Sequence, residues 1–359
     1  MTGLERVSTS RDLARLAGVS QSTVSRVLTN HPRVSPETRA RVLKVLAETN
    51  YTPHALARAM KTGRTDTIGV FMSRVTSPFH ATLLDVIARR LRSLGLHMTL
   101  WDVEHDDIEA SSRFIQQRLV DGLVLTCATF DSPLHSVAVA SGLPTVLLHR
   151  GIDDLACDQV IGDNWQGAFD VGRYLVDAGH TAIGLVTSPL VVSTARDRET
   201  GFRAALAEAG LTVSRRNTVV GGFSHADGHR AAHRLLGRRK PPSAIFAITD
   251  VLAFGLLDGA RSLGVDVPGD LWVVGYDNTD MASWEAFDLT TVNQPVQAIV
   301  ETGLDLLRRR ITEPAVSPTV VRLPCEIVPR GSTASTPVHV APTYATKSGA
   351  PAFGQETPA

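Results

Sequence analysis

An all-α, helix-turn-helix head followed by an α/β domain built on parallel sheets is the fold class that this 359-residue sequence predicts. Three observations carry it. Short helical periodicities fill the first 52 residues. From Thr65 onward, apolar strand-like runs alternate with amphipathic helical stretches. Charge is also unevenly placed: residues 1–64 hold eleven Lys/Arg against four Asp/Glu, in a chain of zero formal net charge. A basic head on an acidic body points to a polyanionic partner for the head.

The head is justified element by element. Leu13, Ala14, Leu16 and Ala17 recur at helical spacing from Ser10, and Gly18 can adopt the left-handed conformation that ends such a helix. Ser20 can cap a second helix that turns Val24, Val27 and Leu28 inward. Ser35-Pro36 is a start signal for a third, with Val42, Val45, Leu46 and Thr49 on one face.

In the body, strands are predicted at Ile68–Met72, His97–Trp101, Gly122–Thr126, Thr145–Leu148, Ala182–Val186, Ala244–Ile248 and Leu271–Val274. Helices are predicted at Phe79–Leu94, Asn164–Ala178, Glu199–Ala209, His225–Leu236, Asp250–Leu263 and Val296–Arg310. Alternation of the two implies βαβ units, and the length of the segment favours two sheets over one. After Arg330 the text is rich in Pro, Ser, Thr, Ala and Gly, and residues 331–359 read as a disordered tail.

Composition narrows the classes. No stretch reaches the ~18 apolar residues of a membrane span, and the N-terminus lacks the apolar run of a secretory signal, so the expected location is the cytoplasm, at the nucleoid. Cys127, Cys157 and Cys325 are scattered, which suggests buried thiols in a reducing compartment. His225, His229 and His233 share a helix face, but without HExxH or a nearby cysteine they read as an amphipathic helix, and no metal or cofactor is expected. Asp102–Asp107 reads as a polar loop. No nucleophile elbow, Walker loop or dinucleotide fingerprint is present, so an enzyme is not the expected class.

The run Ala14–Leu28 has helix-turn-helix chemistry. Its first helix braces, the glycine turn sets the crossing angle, and the second helix lays its N-terminal residues against base edges. Gln21 both donates and accepts, Ser22 does either, and Arg26 can fork onto a guanine. Thr9, Ser20, Thr23, Ser25 and Asn30 are short polar residues suited to phosphate or edge contacts that fix register.

From Asp12 to Met60 the sequence resembles the DNA-binding head of lactose-repressor-type regulators. The marks are Ala17-Gly18-Val19-Ser20 followed by Thr23–Leu28, Val34-Ser35-Pro36-Glu37-Thr38-Arg39, and Asn50-Tyr51 with Pro53, Ala57 and Arg58. The resemblance extends to about Arg330. It implies a head at 1–52 and a hinge at 53–64 that enters the minor groove. Met60 would take the wedge position, Ala57 would lie beside the groove, and His54 would be either a phosphate contact or a solvated loop residue. It also implies a two-lobed, periplasmic-binding-protein-like domain at 65–330. One lobe would span about 65–160 and 294–320, the other about 161–293 and 321–330.

Open α/β sheets bind ligands beyond the carboxyl ends of their strands. That rule selects Ser73 and the loop to Phe79, Thr126, Arg198 in the loop after Val186, Thr249-Asp250, and Asp277. By resemblance, Arg198 clamps an effector and Asp277 accepts its hydroxyls, a pairing that suits a sugar or polyol. Asp163, Trp165, Thr249, Gln294 and Phe79 are weaker carry-overs, and both aromatics could equally be core. The lesser alternative for Arg198 and Asp277 is a structural ion pair bracing the cleft. The whole implies a homodimeric repressor on a pseudo-palindromic operator, modulated by a small molecule. A protein co-regulator or a nucleobase in place of the sugar, and a solute-binding receptor, are the rivals.

Overall fold

The computed structural model describes residues 9–28, 31–49, 63–103 and 108–333. The head forms as its caps dictate. Thr9 and Asp12 make a reciprocal capping box at the start of α1 (Ser10–Ala17), with the Thr9 Oγ1 to Asp12 Oδ2 bond at 2.7 Å. Gly18 sits at φ 62°, and its N–H closes the helix onto the carbonyls of Ala14 and Arg15. Ser20 Oγ then accepts from the backbone N–H of Thr23 at 3.1 Å, starting α2 (Gln21–Leu28). Ser35 does the same for Thr38 at 3.2 Å ahead of α3 (Pro36–Thr49). Leu13, Ala14, Ala17, Val24, Val27 and Val42 meet in a small core.

The body runs β1 (Thr67–Met72), α4 (Pro78–Ser93), β2 (His97–Asp102), α5 (Ile108–Gln117), β3 (Gly122–Leu125), α6 (Leu134–Ala140), β4 (Thr145–Leu148) and β5 (Asp158–Gly162). There follow α7 (Asn164–Asp177), β6 (Ile183–Thr187), α8 (Ser193–Glu208), β7 (Thr218–Val220), α9 (His225–Leu236), β8 (Ala244–Ala247), α10 (Asp250–Ser262) and β9 (Trp272–Val274). The chain ends with β10 (Thr291–Asn293), α11 (Val296–Thr312), β11 (Val320–Leu323) and β12 (Glu326–Val328).

Two parallel sheets result, ordered β11-β5-β4-β3-β1-β2 and β7-β6-β8-β9, with β10 and β12 as a separate antiparallel pair that flanks β11 in sequence. Alternate residues of the first sheet feed opposite cores. Ile68, Val70, Val124, Val146 and Val160 face α4 and α11, whereas Phe71, Leu123, Leu125 and Leu147 face α5 and α6. The second sheet lies in one continuous core with α7 to α10. All three cysteines are buried and free.

The helix pairs of the second lobe touch backbone to backbone. A side chain at Gly201 of α8 would collide with the Trp165 carbonyl of α7, and one at Gly255 of α10 would collide with the His225 carbonyl of α9. Glycine is therefore required at these crossings, because no space exists for even a methyl group.

Several expectations need correction. The predicted lobe limits at 160 and 320 fall inside strands, since β5 continues to Gly162 and β11 to Leu323 within the first sheet. Gly331–Thr333 are not tail. Ser332 Oγ donates to Val273 O at 2.6 Å, and Thr333 Oγ1 lies 2.8 Å from the Tyr174 hydroxyl, so these residues close the second lobe. Residues 334–359 lie outside the described residues, as do Asn30, His54, Ala57 and Met60. Helix α8 begins at Ser193, six residues before the predicted Glu199, because the polar run Arg196–Glu199 masks its apolar periodicity. Arg198 is therefore on a helix and not in a loop.

Candidate functional site

Two regions carry the candidate residues. In the head, Gln21, Ser22 and Arg26 are exposed on one side of α2, while Val24 and Val27 anchor the other. The left-handed turn at Gly18 is what brings the start of α2 to the surface at a fixed angle to α1. Gln21 Nε2 donates to Ser10 Oγ at 2.8 Å, which links the two helices. Ser20 Oγ lies 2.8 Å from both Ser22 Oγ and Thr23 Oγ1. Thr9, expected as a phosphate contact, is the cap of α1; Ser25 is half-buried. The face offers amide, hydroxyl and guanidinium groups together, the set that reads base edges and phosphates.

In the body, a cleft opens at the carboxyl ends of both sheets. Its first-lobe wall is Arg74, Ser77, Phe79, His80, His149 and Arg150; its second-lobe wall is Thr194, Arg198, Phe223, Thr249, Val251 and Asp277. The free cavity is about 20 Å³, room for roughly one water. The lobes therefore have to part to admit anything larger.

Arg198 is the hub. Only 2 % exposed, it donates from Nε to Asn164 Oδ1 at 2.8 Å and from Nη1 to the Ile248 carbonyl at 2.6 Å. Its Nη2 lies 3.1 Å from Asp277 Oδ1, and its guanidinium stacks 3.7 Å over the Tyr276 ring. Asp277 sits at φ 120°, a backbone conformation that aims its carboxylate back at Arg198. Gln294 Nε2 also donates to Asp277 Oδ1, at 2.7 Å. The Gln294 Oε1 lies 3.3 Å from His149 Nδ1, so His149 carries its proton on Nδ1. Burial pushes the Asp277 carboxyl up, against the pull of Arg198 and Gln294.

His80 and His149 stand on the opposite wall, ring centroids 5.8 Å apart, with Phe79 4.5 Å from His149. Burial, then Arg150, Arg74 and Arg198, hold His80 down at about 3. His149 is held well below its usual value by burial, His80, Arg150 and Arg198, in that order. Both imidazoles are thus neutral at pH 7.

The structure brings Phe79, Arg198, Thr249 and Asp277 to the cleft, with Gln294 one bond behind. It does not bring the others. Asp250 is buried behind the wall, accepting from Thr279 N at 2.7 Å, Thr279 Oγ1 at 3.0 Å and Thr291 Oγ1 at 2.5 Å. It is a brace and not a ligand contact. Asp163 caps α7 by accepting from Gln166 N, and Thr126 Oγ1 donates to the Phe71 carbonyl. Trp165 is 40 % exposed and stacks on Phe169 away from the cleft. Ser73 does not line the cavity; its neighbour Arg74 does.

Arg74 falls in the loop from Ser73 to Phe79 that the strand-end rule selects, whereas sequence reasoning missed His80, His149, Arg150, Asn164, Thr194, Phe223 and Tyr276. The strand-end rule reaches His149-Arg150, which directly follow the predicted strand Thr145–Leu148. Phe223 and Asn164 follow β7 and β5, neither of which has a strong apolar run to announce it.

The three histidines of α9 hold no metal-like grouping. His225 Nε2 lies 2.8 Å from Asp258 Oδ2, His233 Nε2 lies 3.3 Å from Ser262 Oγ, and no cluster of three ligating side chains occurs among the described residues. No described helix is long and apolar enough to cross a membrane.

Comparison with known proteins agrees with this layout. Residues 9–54 match the bacterial regulatory proteins of the lacI family, and residues 173–333 match the periplasmic binding protein-like domain. The chain is 34 % identical over 329 residues to the ribose operon repressor of Escherichia coli K12, covering 91 % of this chain and all of that protein. It is 32 % identical to the HTH-type transcriptional repressor PurR of Photobacterium profundum, over 91 % of this chain and 98 % of the relative. Among solved structures, the Lac repressor dimer bound to operator and the anti-inducer ONPF superposes with a TM-score of 0.82 at 28 % identity, covering 90 % of this chain and 98 % of that one. The complex of the transcriptional regulator CelR with cellobiose gives 0.71 at 29 % identity, over 90 % and 99 % of the two chains. A reading head, a two-lobed body and this breadth of similarity lead to one placement: the chain belongs to the lacI family of bacterial regulatory proteins.

Proposed function

We propose that the chain is a homodimeric transcriptional repressor that reads a pseudo-palindromic operator, with its grip on DNA set by a small molecule in the inter-lobe cleft. The observation that carries this reading is the exposed Gln21-Ser22-Arg26 face of α2, held by the Gly18 turn. One small reading module gives limited affinity, so two heads act on two half-sites. The effector is a sugar or related polyol: Arg198 and Asp277 offer directed hydrogen bonds of both polarities, and relatives matched over almost their whole length include a ribose operon repressor and a cellobiose-bound regulator. The protein works in the cytoplasm at the nucleoid and performs no turnover of the molecule it senses. Coupling between cleft and head is a difference in ligand affinity between two states of the dimer.

The test is selection of a preferred duplex by the full chain, followed by titration with wild type and Arg26→Ala. Wild type selects an inverted repeat. The variant loses about 1–3 kcal/mol on that site and little on random DNA. Equal loss on both, or no preferred duplex for wild type, rejects base readout by α2.

A further inference from the structure

Guanidinium groups outnumber carboxylates among the described residues that line the cleft. Among the described residues that line it, three carry guanidinium groups (Arg74, Arg150 and Arg198) and one carries a carboxylate, Asp277. That carboxylate already holds Arg198 at 3.1 Å and the Gln294 amide at 2.7 Å. Asp250, behind the wall, is consumed by Thr279 and Thr291 and does not reach the cavity.

His80 adds an independent sign. It is 3 % exposed, lines the cavity from the first turn of α4, and neither ring nitrogen has a hydrogen-bond partner. An unsatisfied buried polar group is costly, so it is retained where a ligand will satisfy it. A third sign is the start of α8. Its N-cap is Val192, which supplies no side-chain acceptor to the first N–H groups, and its opening residues are buried, with Thr194 on the cavity wall. A helix start of this kind favours negative charge.

We propose that the effector is a sugar bearing an oxyanion, either a phosphate or a carboxylate, which docks against Arg74, His80, Arg150 and the start of α8 while its hydroxyls turn toward Asp277 and Gln294. The proposal rests on the cleft being the effector site. It also predicts a proton signature. His80 faces Arg74 before α4, His149 and Arg150 at the end of β4, Arg198 on α8 and Asp277 beyond β9. Burial first, and then the positive field of Arg150, Arg74 and Arg198, keep His80 neutral; an incoming anion offsets that field, so binding takes up protons below neutral pH.

The experiment is calorimetric titration and thermal shift on the full chain with matched probes: ribose and ribose 5-phosphate, glucose with glucose 6-phosphate and gluconate, and inorganic phosphate against chloride at equal ionic strength. Saturable stabilisation by inorganic phosphate is expected, together with at least a tenfold preference for an anionic over its neutral partner. The winner between glucose 6-phosphate and gluconate separates phosphate from carboxylate recognition. His80→Gln and Arg150→Gln each reduce the ratio of anionic to neutral-sugar affinity about tenfold, with operator binding in the absence of ligand retained. Proton uptake, read from titrations in buffers of different ionisation enthalpy, rises from pH 7.5 to 6 in wild type and falls in His80→Gln. Neutral sugars binding as tightly as their anionic partners, or no phosphate effect beyond chloride, overturns the proposal. Failure of the cleft reading itself looks different: all binding then survives both Arg198→Lys and Asp277→Asn.

Discussion

Arg198 has two roles that sequence reasoning keeps apart. It braces the cleft through Asn164, Ile248, Tyr276 and Asp277, and it presents its remaining surface to the cavity. A buried ion pair stripped of one member leaves an uncompensated charge, at a cost of about 3–5 kcal/mol. Arg198→Ala is therefore expected to lower the melting temperature as well as abolish the ligand response. Asp277→Asn, which keeps the shape and one acceptor, is expected to lose the response with a smaller stability loss. Operator titrations with and without ligand, beside thermal melts, separate the two. Ligand-sensitive DNA binding in both variants removes these residues from the site.

The same wall sets a pH dependence. His80 and His149 have folded-state pKa values below 6.5, so below that pH the unfolded chain binds protons that the native chain refuses. Stability falls on acidification, by up to about 1.4 kcal/mol per pH unit for each histidine. Asp250, pushed up to about 7 by burial and by Asp277, acts in the opposite sense between its usual 3.8 and 7. His80→Gln isolates the imidazole contribution. Its melting temperature is expected to drop less than that of wild type between pH 7 and 5, and parallel curves would deny His80 its neutral, buried state.

At the scale of elements, the second lobe depends on glycines where helices cross. Gly201 lies on α8 one turn beyond Arg198, beneath the Trp165 carbonyl of α7. A methyl group there pushes α8 off α7 and carries Arg198 with it. Gly201→Ala is expected to cost about 1–3 kcal/mol and to weaken ligand binding together. Chemical denaturation and ligand titration measure the two, and a stable variant with normal ligand affinity would show that the crossing relaxes. The first lobe is built differently: aliphatic side chains of α4 and α11 cover one sheet face, and a side chain at Gly303 of α11 would meet the Leu148 side chain of β4 and not a backbone carbonyl.

For the whole molecule, the question is how the cleft is joined to the head. The chain enters the first lobe at Thr65-Asp66. There the Asp121 carboxylate accepts from Thr65 N at 2.7 Å, Thr65 Oγ1 at 2.8 Å and Asp66 N at 2.9 Å. Asp121 immediately precedes β3, whose far end leads into the loop beside the cleft. This clamp ties the end of the head's tether to the sheet that carries Arg74, His149 and Arg150. Asp121→Ala is expected to leave ligand affinity unchanged and to reduce the change in operator affinity that ligand produces. Full coupling in the variant would mean that the signal leaves the lobe elsewhere.

Much of this was legible from local chemistry. The head's cap at Ser20, the Gly18 turn and the α2 reading face follow from neighbouring residues, since caps and turns act over three or four positions, whereas Thr9, expected as a phosphate contact, caps α1. Seven strands of the body announce themselves as apolar runs because parallel strands are buried on both faces. Short β5, β7, β10, β11 and β12 do not, because strands of three to five residues with polar members owe their pairing to neighbours far along the chain. The cleft divides in the same way. Arg198 and Asp277 can be named from the sequence, and so can the rule that ligands sit at strand ends. Only the tertiary structure sets His80 and His149 beside three arginines, and withdraws Asp250 and Trp165 from the site. Burial and electric field at a side chain are sums over residues distant in sequence, and no local pattern contains them.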